Sequence, residues 1–414
     1  MMKIIGFILI LLITAGSLTA GELVKFILHV EKERIDAPVY VSLDGIDYNT
    51  GKGRLVLYEI TAEGETLVPC QVEPGHSARL WFLLEGMTSA NTSRVFVLKE
   101  KSPGEFTQLD SRVNLVEKHK DLQLFYDNQP VLSYRFGVTY PPEGVNSLYR
   151  RSGYIHPLWS PGGEVLTRIQ PPDHYHHYGI WGPWTKTHID EREVDFWNLA
   201  KGQGTVRFAD FLSKYEGEVF SGFQALQQHI DFGGEGSDRI AMNEVLDVRV
   251  WNTGKDYWII DYTTLLTSPL ENGIMLNTNR YGGGIGFRAT EKWHEDNCTV
   301  LTSEGKTRDD ADGTFARWSI VEGESDTDQK RSGILFLSHP ANNVHPEPMH
   351  VWGNMFFQFT PIRHQDWKIE QYKSYALKYR MIVFDGELDA ITAEKYWSSF
   401  ASMPVVEFVN EKSY

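Results

Sequence analysis

Leu246-Asp247-Val248-Arg249-Val250, followed by Tyr257-Trp258-Ile259-Ile260-Asp261-Tyr262-Thr263-Thr264-Leu265-Leu266, decides the fold class. Apolar and charged side chains alternate in the first segment, the period of a strand with one face in a core and the other in water. The second segment is longer and nearly continuous in apolar and β-favouring residues, which predicts a more deeply buried strand. Leu122, Leu124 and Tyr126 show the same alternation far upstream, and from residue 104 onward there is scarcely a helical period. The exception is Leu388 to Met403, where Asp389 can cap a helix whose Tyr396, Trp397 and Phe400 share a face.

Closer to the N-terminus, short strands are expected at Val24–Val30, Arg54–Tyr58, Ala78–Leu84 and Arg94–Leu98, separated by breaks that contain Gly, Asn or Pro. The polar, breaker-rich Lys101-Ser102-Pro103-Gly104-Glu105 marks a boundary. The prediction is a mainly β protein with a small β-sandwich over residues 21–103, a large antiparallel β domain over 104–414 and a short C-terminal helix. Asp309 to Thr314 and the acidic Glu322 to Gln329 read as exposed loops. Residues 1–20 have the form of a signal peptide: Lys3, an apolar run from Ile4 to Ala15, then small residues before Gly21. The mature chain is therefore expected to be periplasmic or secreted.

A formal charge of −15 with no basic cluster excludes nucleic acid and anionic membrane as natural partners. No later apolar run approaches the roughly 20 residues a membrane span needs. Cys70 and Cys298 are too few for a disulfide framework and are expected to stay unpaired. Twelve tryptophans suit a flat-faced ligand such as a sugar, although a large β core also uses them.

The chemistry concentrates in Pro171-Pro172-Asp173-His174-Tyr175-His176-His177-Tyr178-Gly179-Ile180-Trp181-Gly182-Pro183-Trp184. Proline and glycine on both sides exclude a helix, so the histidines lie on an extended or looping segment. If extended, the chain would pair His174 with His176 on one face and put Asp173, Tyr175 and His177 on the other. Three further patches are unusual: Asp195-Phe196-Trp197-Asn198; the glycine-rich Arg280 to Arg288, where no helix follows to make a phosphate loop; and Asn342 to Trp352, which sets Glu347 between two prolines and two histidines.

At these motifs the chain resembles a bacterial family known under the name PmoA, also catalogued as a domain of unknown function. The residues that carry the resemblance are His156-Pro157-Leu158 with Pro161-Gly162-Gly163, Asp173 to Trp181, Tyr281 to Arg288, and Tyr379-Arg380-Met381-Ile382-Val383-Phe384-Asp385-Gly386, in order over roughly 112–402. Methane oxidation is rejected, because a membrane monooxygenase subunit needs several spanning helices. By analogy the long domain is similar to the β-supersandwich of galactose-mutarotase-like proteins. In sites of that kind an early pair of histidines and a late glutamate move protons.

Two enzyme readings and one binding reading follow. In the first, a carbohydrate-active hydrolase, lyase or epimerase uses His174, His176 or His177 as general acid or base, with Glu347 or Asp173 as the carboxylate. Trp181, Trp184, Trp197, Asn198, Tyr281, Arg288, His350 and Trp352 then bind the sugar, and no cofactor is required. In the second, His174 and His176, with Asp173, His177 or Glu347 as further candidate ligands, hold a divalent metal, zinc or a redox metal. In the third, the tryptophans are stacking platforms of a non-catalytic glycan-binding protein.

Overall fold

The computed structural model describes residues 21–48, 53–102, 104–105, 111–233, 238–353 and 355–409. The expected signal peptide and Pro103 of the expected boundary lie outside the described residues.

The alternating segment around Leu246 is the strand Arg239–Trp251, and the longer one is Trp258–Thr267. Both run through the centre of an eight-stranded antiparallel sheet, where they pair with each other and Trp258–Thr267 pairs with Tyr375–Asp385. Trp258, Ile260, Tyr262 and Leu266 point to one side and join the main core, whereas Ile259 points to the other and joins a second apolar cluster. This strand is buried on both faces over its first half, which explains its near-continuous apolar sequence.

A nine-stranded sheet lies against the inner face of that sheet. Its inward residues are those of one strand parity: Ile180, Ile285, Phe287, Met349, Val351, Phe357 and Phe359 all enter the main core. The cross-strand pairs Ile180↔Phe287, Phe287↔Phe357 and Met349↔Phe359 keep that parity in register. Paired residues share a face. The other parity, Trp181, Gly286, Arg288, Phe356, Gln358, His350 and Trp352, therefore faces outward together.

The N-terminal part forms a five-stranded and a three-stranded sheet around their own core of Phe26, Leu57, Phe82 and Phe96. The expected strands are present as Glu22–Val30, Arg54–Thr61, Arg79–Thr88 and Thr92–Lys101. One strand of the five-stranded sheet comes from the other end of the chain: Val405–Phe408 pairs with Glu22–Val30. The helix forms as Ala390–Ala401, with the Asp389 side chain accepting from Thr392 N. Its buried Tyr396 and Trp397 pack on the outer face of the eight-stranded sheet. Arg34 donates to the carbonyls of Ser398 and Ser402 and ties the helix to the N-terminal sheets.

Glu322 to Glu324 are not loop, as the acidic run suggested. They end the strand Trp318–Glu324, where Arg331 on the neighbouring strand neutralises Glu322. Cys70 and Cys298 are both free and buried. Among the described residues no helix is long and apolar enough to cross a membrane.

Candidate functional site

The outward face of the nine-stranded sheet carries an aromatic cluster, Tyr154, Tyr178, Trp181, Trp197 and Phe356, and on it sits the histidine segment. The segment is not extended. Ile169 and Tyr178 form an isolated bridge, Gln170 N donates to His177 O, and two successive turns follow: His174 N to Pro171 O, 2.9 Å, and His177 N to His174 O, 3.0 Å. Turned twice, the chain loses its two-sided alternation. His174, His176 and His177 converge, with ring centroids 4.7–5.3 Å apart. One nitrogen from each ring lies within 4.8 Å of those of the other two.

Asp173 accepts from Nδ1 of His174 at 2.9 Å and from Arg288 Nη2 at 2.7 Å. Burial pushes its carboxyl up, but the bond from His174 and the charge of Arg288 outweigh that and hold it below the ordinary carboxylate range. Burial, then the neighbouring His174, pushes His176 down to about 4. Burial and His176 push His177 well below its ordinary value. Nδ1 of His177 is buried with no hydrogen-bond partner, as are Nε and Nη1 of Arg288.

His174, His176 and His177 line a cleft of about 140 Å³ with Trp197, Asn198, Arg280, Tyr281, His350, Trp352 and Phe356. Each of the other unusual sequence patches thus contributes to one concavity. Asp195 is fully buried and accepts from Trp197 N, Asn198 N and Nδ2, and Lys201 Nζ, which fixes the loop that presents Trp197 and Asn198. Gly282, Gly283 and Gly284 all have positive φ, and a Cβ on Gly283 would lie 2.3 Å from the Trp184 ring. That tight path delivers Arg280 and Tyr281 to the rim. Tyr281 meets Trp197 edge-on at 4.8 Å.

His350 forms the far wall. Its Nδ1 donates to Asp312 at 2.7 Å, and Asp312 is in turn held by both terminal nitrogens of Arg363. Burial pushes the Asp312 carboxyl up, but the bonds from His350 and Arg363 prevail and hold it well below the usual range. Phe356 links the two walls, its ring 4.9 Å from His177 and 5.8 Å from His350.

Four residues expected at the site stand off the cleft. Glu347 is fully buried inside the fold, where Ser338, Asn342 and Tyr379 donate to its carboxyl group. It lies on the inward parity of Glu347–Trp352, so it cannot share a ligand with His350 on the outward one. Trp184 belongs to the main core. Trp181 faces outward but lies beneath Trp197, Phe356 and His177, too deeply buried to stack on a ligand. Arg288 supports Asp173 from below and does not line the cleft. Conversely, Asp312 and Arg363 were not legible. The segment Asp309 to Thr314 reads as a loop, and only the fold brings Asp312 to a histidine 38 residues away.

A larger depression of about 640 Å³ is lined by His156, Gly162, Arg168, Glu291 and Lys292 among others. Its cations are already paired, Lys292 with Glu164 and Arg168 with Glu291, and His156 is bonded to Thr167. The smaller cleft is where unpaired imidazole nitrogen and aromatic faces meet.

Residues 121–398, two thirds of the chain, match the sequence family described as a family of unknown function, DUF6807. The chain belongs to that family. The match spans every residue of the DUF6807 cleft described above. No curated protein matches the chain. Among solved structures it is similar to a glycosyl hydrolase family 38 protein from Enterococcus faecalis, at 10% identity and a TM-score of 0.47 over 95% of this chain and 48% of that one. It is also similar to an alpha-mannosidase from Enterococcus faecalis V583, at 9% identity and a TM-score of 0.43 over 95% and 46%. The chain spans about half the length of these proteins, and at such distance the likeness says nothing about chemistry.

Proposed function

We propose that this DUF6807 protein is a secreted or periplasmic carbohydrate-active enzyme, a hydrolase, lyase or epimerase, with His350 as its proton-transfer residue. The observation that carries the proposal is the Asp312–His350 pair in the wall of an aromatic cleft. Asp312 holds Nδ1 at 2.7 Å, so Nε2 is the ring nitrogen left for a ligand. A carboxylate that fixes the tautomer and orientation of an imidazole is the arrangement that general acid–base catalysis requires. Tyr281, Trp197 and Trp352 offer ring faces and edges, and Asn198 and Arg280 offer hydrogen bonds, around a space smaller than the roughly 300–1,000 Å³ of drug-sized sites. One small hydroxylated ring suits it. The role expected of Glu347 passes to Asp312, which differs in kind: it orients the histidine and does not itself touch the ligand.

The test is a panel of free sugars and aryl glycosides followed by proton NMR for anomerisation, epimerisation, elimination or hydrolysis, with wild type and H350Q side by side. Turnover by wild type that collapses in H350Q supports the reading. Turnover unchanged in H350Q, or ligand binding without any turnover, overturns it.

A further inference from the structure

We propose that His174, His176 and His177 together bind one divalent metal ion of the zinc class, with the cleft as its open coordination position. The inference deepens the reading of the same cleft as an enzyme site, but it stands on separate residues and a separate measurement.

Three observations carry it. First, one nitrogen from each of the three imidazoles falls within a sphere of mutual distances no larger than 4.8 Å. Tetrahedral zinc with bonds of roughly 2.0–2.1 Å needs its nitrogens about 3.3 Å apart, so the rings have to close by at most about 1.5 Å. His174 is partly exposed and on a turn, which leaves it room to rotate.

Second, no side-chain hydrogen bond joins any of the three rings to another among the described residues, and Nδ1 of His177 is buried with no partner at all. A buried polar atom left without a partner is costly. His229 and His345 also leave Nδ1 buried without a partner, but among the described residues only His174, His176 and His177 bring three potential ligand atoms together. A metal ion shared by the three rings would supply a partner where His177 lacks one.

Third, His174 has an outer support. Asp173 accepts a hydrogen bond from its Nδ1 and is itself anchored by Arg288, which leaves Nε2 as the coordinating atom. Carboxylate backing of a ligating histidine is the usual outer shell of a metal centre. Asp173 and Arg288 cancel in charge, so three neutral imidazoles would leave the ion its full positive charge. Such a centre polarises a ligand oxygen or acidifies a bound water, and His350 on the opposite wall is placed to exchange the proton.

The test uses the full mature chain, released from any affinity tag, stripped with a chelator and titrated with Zn(II) and Co(II). The expected result is one tight equivalent by calorimetry and elemental analysis, with the strong visible bands of four- or five-coordinate Co(II). H174A, H176A and H177A should each weaken binding at least a hundredfold. D173N should weaken it about 10–100-fold, as outer-shell changes do. H294Q, at an exposed histidine remote from the cluster in sequence, should leave it unchanged. H176N, checked by circular dichroism, keeps the test valid if an alanine variant fails to fold. Wild type that takes up no ion, or binding that survives in H174A and H176A, overturns the metal site. Either result leaves the role of His350 to be judged by its own sugar panel.

Discussion

Glu347 and His350 leave opposite faces of one strand, three residues apart, and so belong to different environments. Glu347 is enclosed with Ser338, Asn342 and Tyr379, whereas His350 opens on the cleft with Asp312 behind it. The parity of the strand encloses the one and opens the other to the cleft.

That enclosure makes stability depend on pH. Full burial raises the Glu347 carboxyl from 4.5 to about 7, against the opposing hydrogen bonds from Ser338, Tyr379 and Asn342. The folded state therefore holds a proton that the unfolded state has lost between these values, and stability falls as pH rises across them. The contribution is complete below about 4.5 and gone above about 7. Urea unfolding at pH 5 and pH 8 should show wild type losing roughly 1 kcal/mol per pH unit relative to E347Q, whose side chain does not titrate. Parallel pH curves for the two proteins would refute it.

His350 and Asp312 should act together. On the substrate identified by the sugar panel, H350Q should lower kcat by about 10²–10⁴ with a smaller change in KM, and D312N should lower it less. The double variant should be no worse than H350Q, because Asp312 works only through the imidazole. Additive losses would show that Asp312 has a separate role.

The tryptophans should separate by depth. Trp181, 1% exposed, packs against Trp197 and Phe356, so W181A should cost about 3–5 kcal/mol of stability. Trp352 is 43% exposed beside His174. W352A should leave the melting temperature nearly unchanged and weaken ligand binding, read by calorimetry with the sugar found in the panel.

Gly283 has φ +79° and the Trp184 ring 2.3 Å from where a Cβ would stand. G283A should therefore destabilise the protein by about 1–3 kcal/mol through backbone strain and overpacking. Because the same turn carries Tyr281, ligand affinity should fall as well, which thermal melts with and without ligand will resolve.

Strand periodicity, the Asp389 cap and the apolar face of Tyr396 and Trp397 arise from residues near one another in the chain, so the β class and the C-terminal α-helix were settled by sequence alone. The sequence also marked the patches that meet in the cleft, because histidine, glycine and tryptophan clusters are costly without a use. It did not settle what each patch does there. Two hydrogen-bonded turns, not an extended chain, bring His174, His176 and His177 together. The register of Glu347–Trp352 against Phe356–Phe359 turns His350 outward and Glu347 inward. Asp312 reaches His350 only because the sheet places a loop 38 residues upstream against it. Local preference follows from neighbours in sequence, but facing partners follow from strand pairing and turn closure, which the tertiary structure decides.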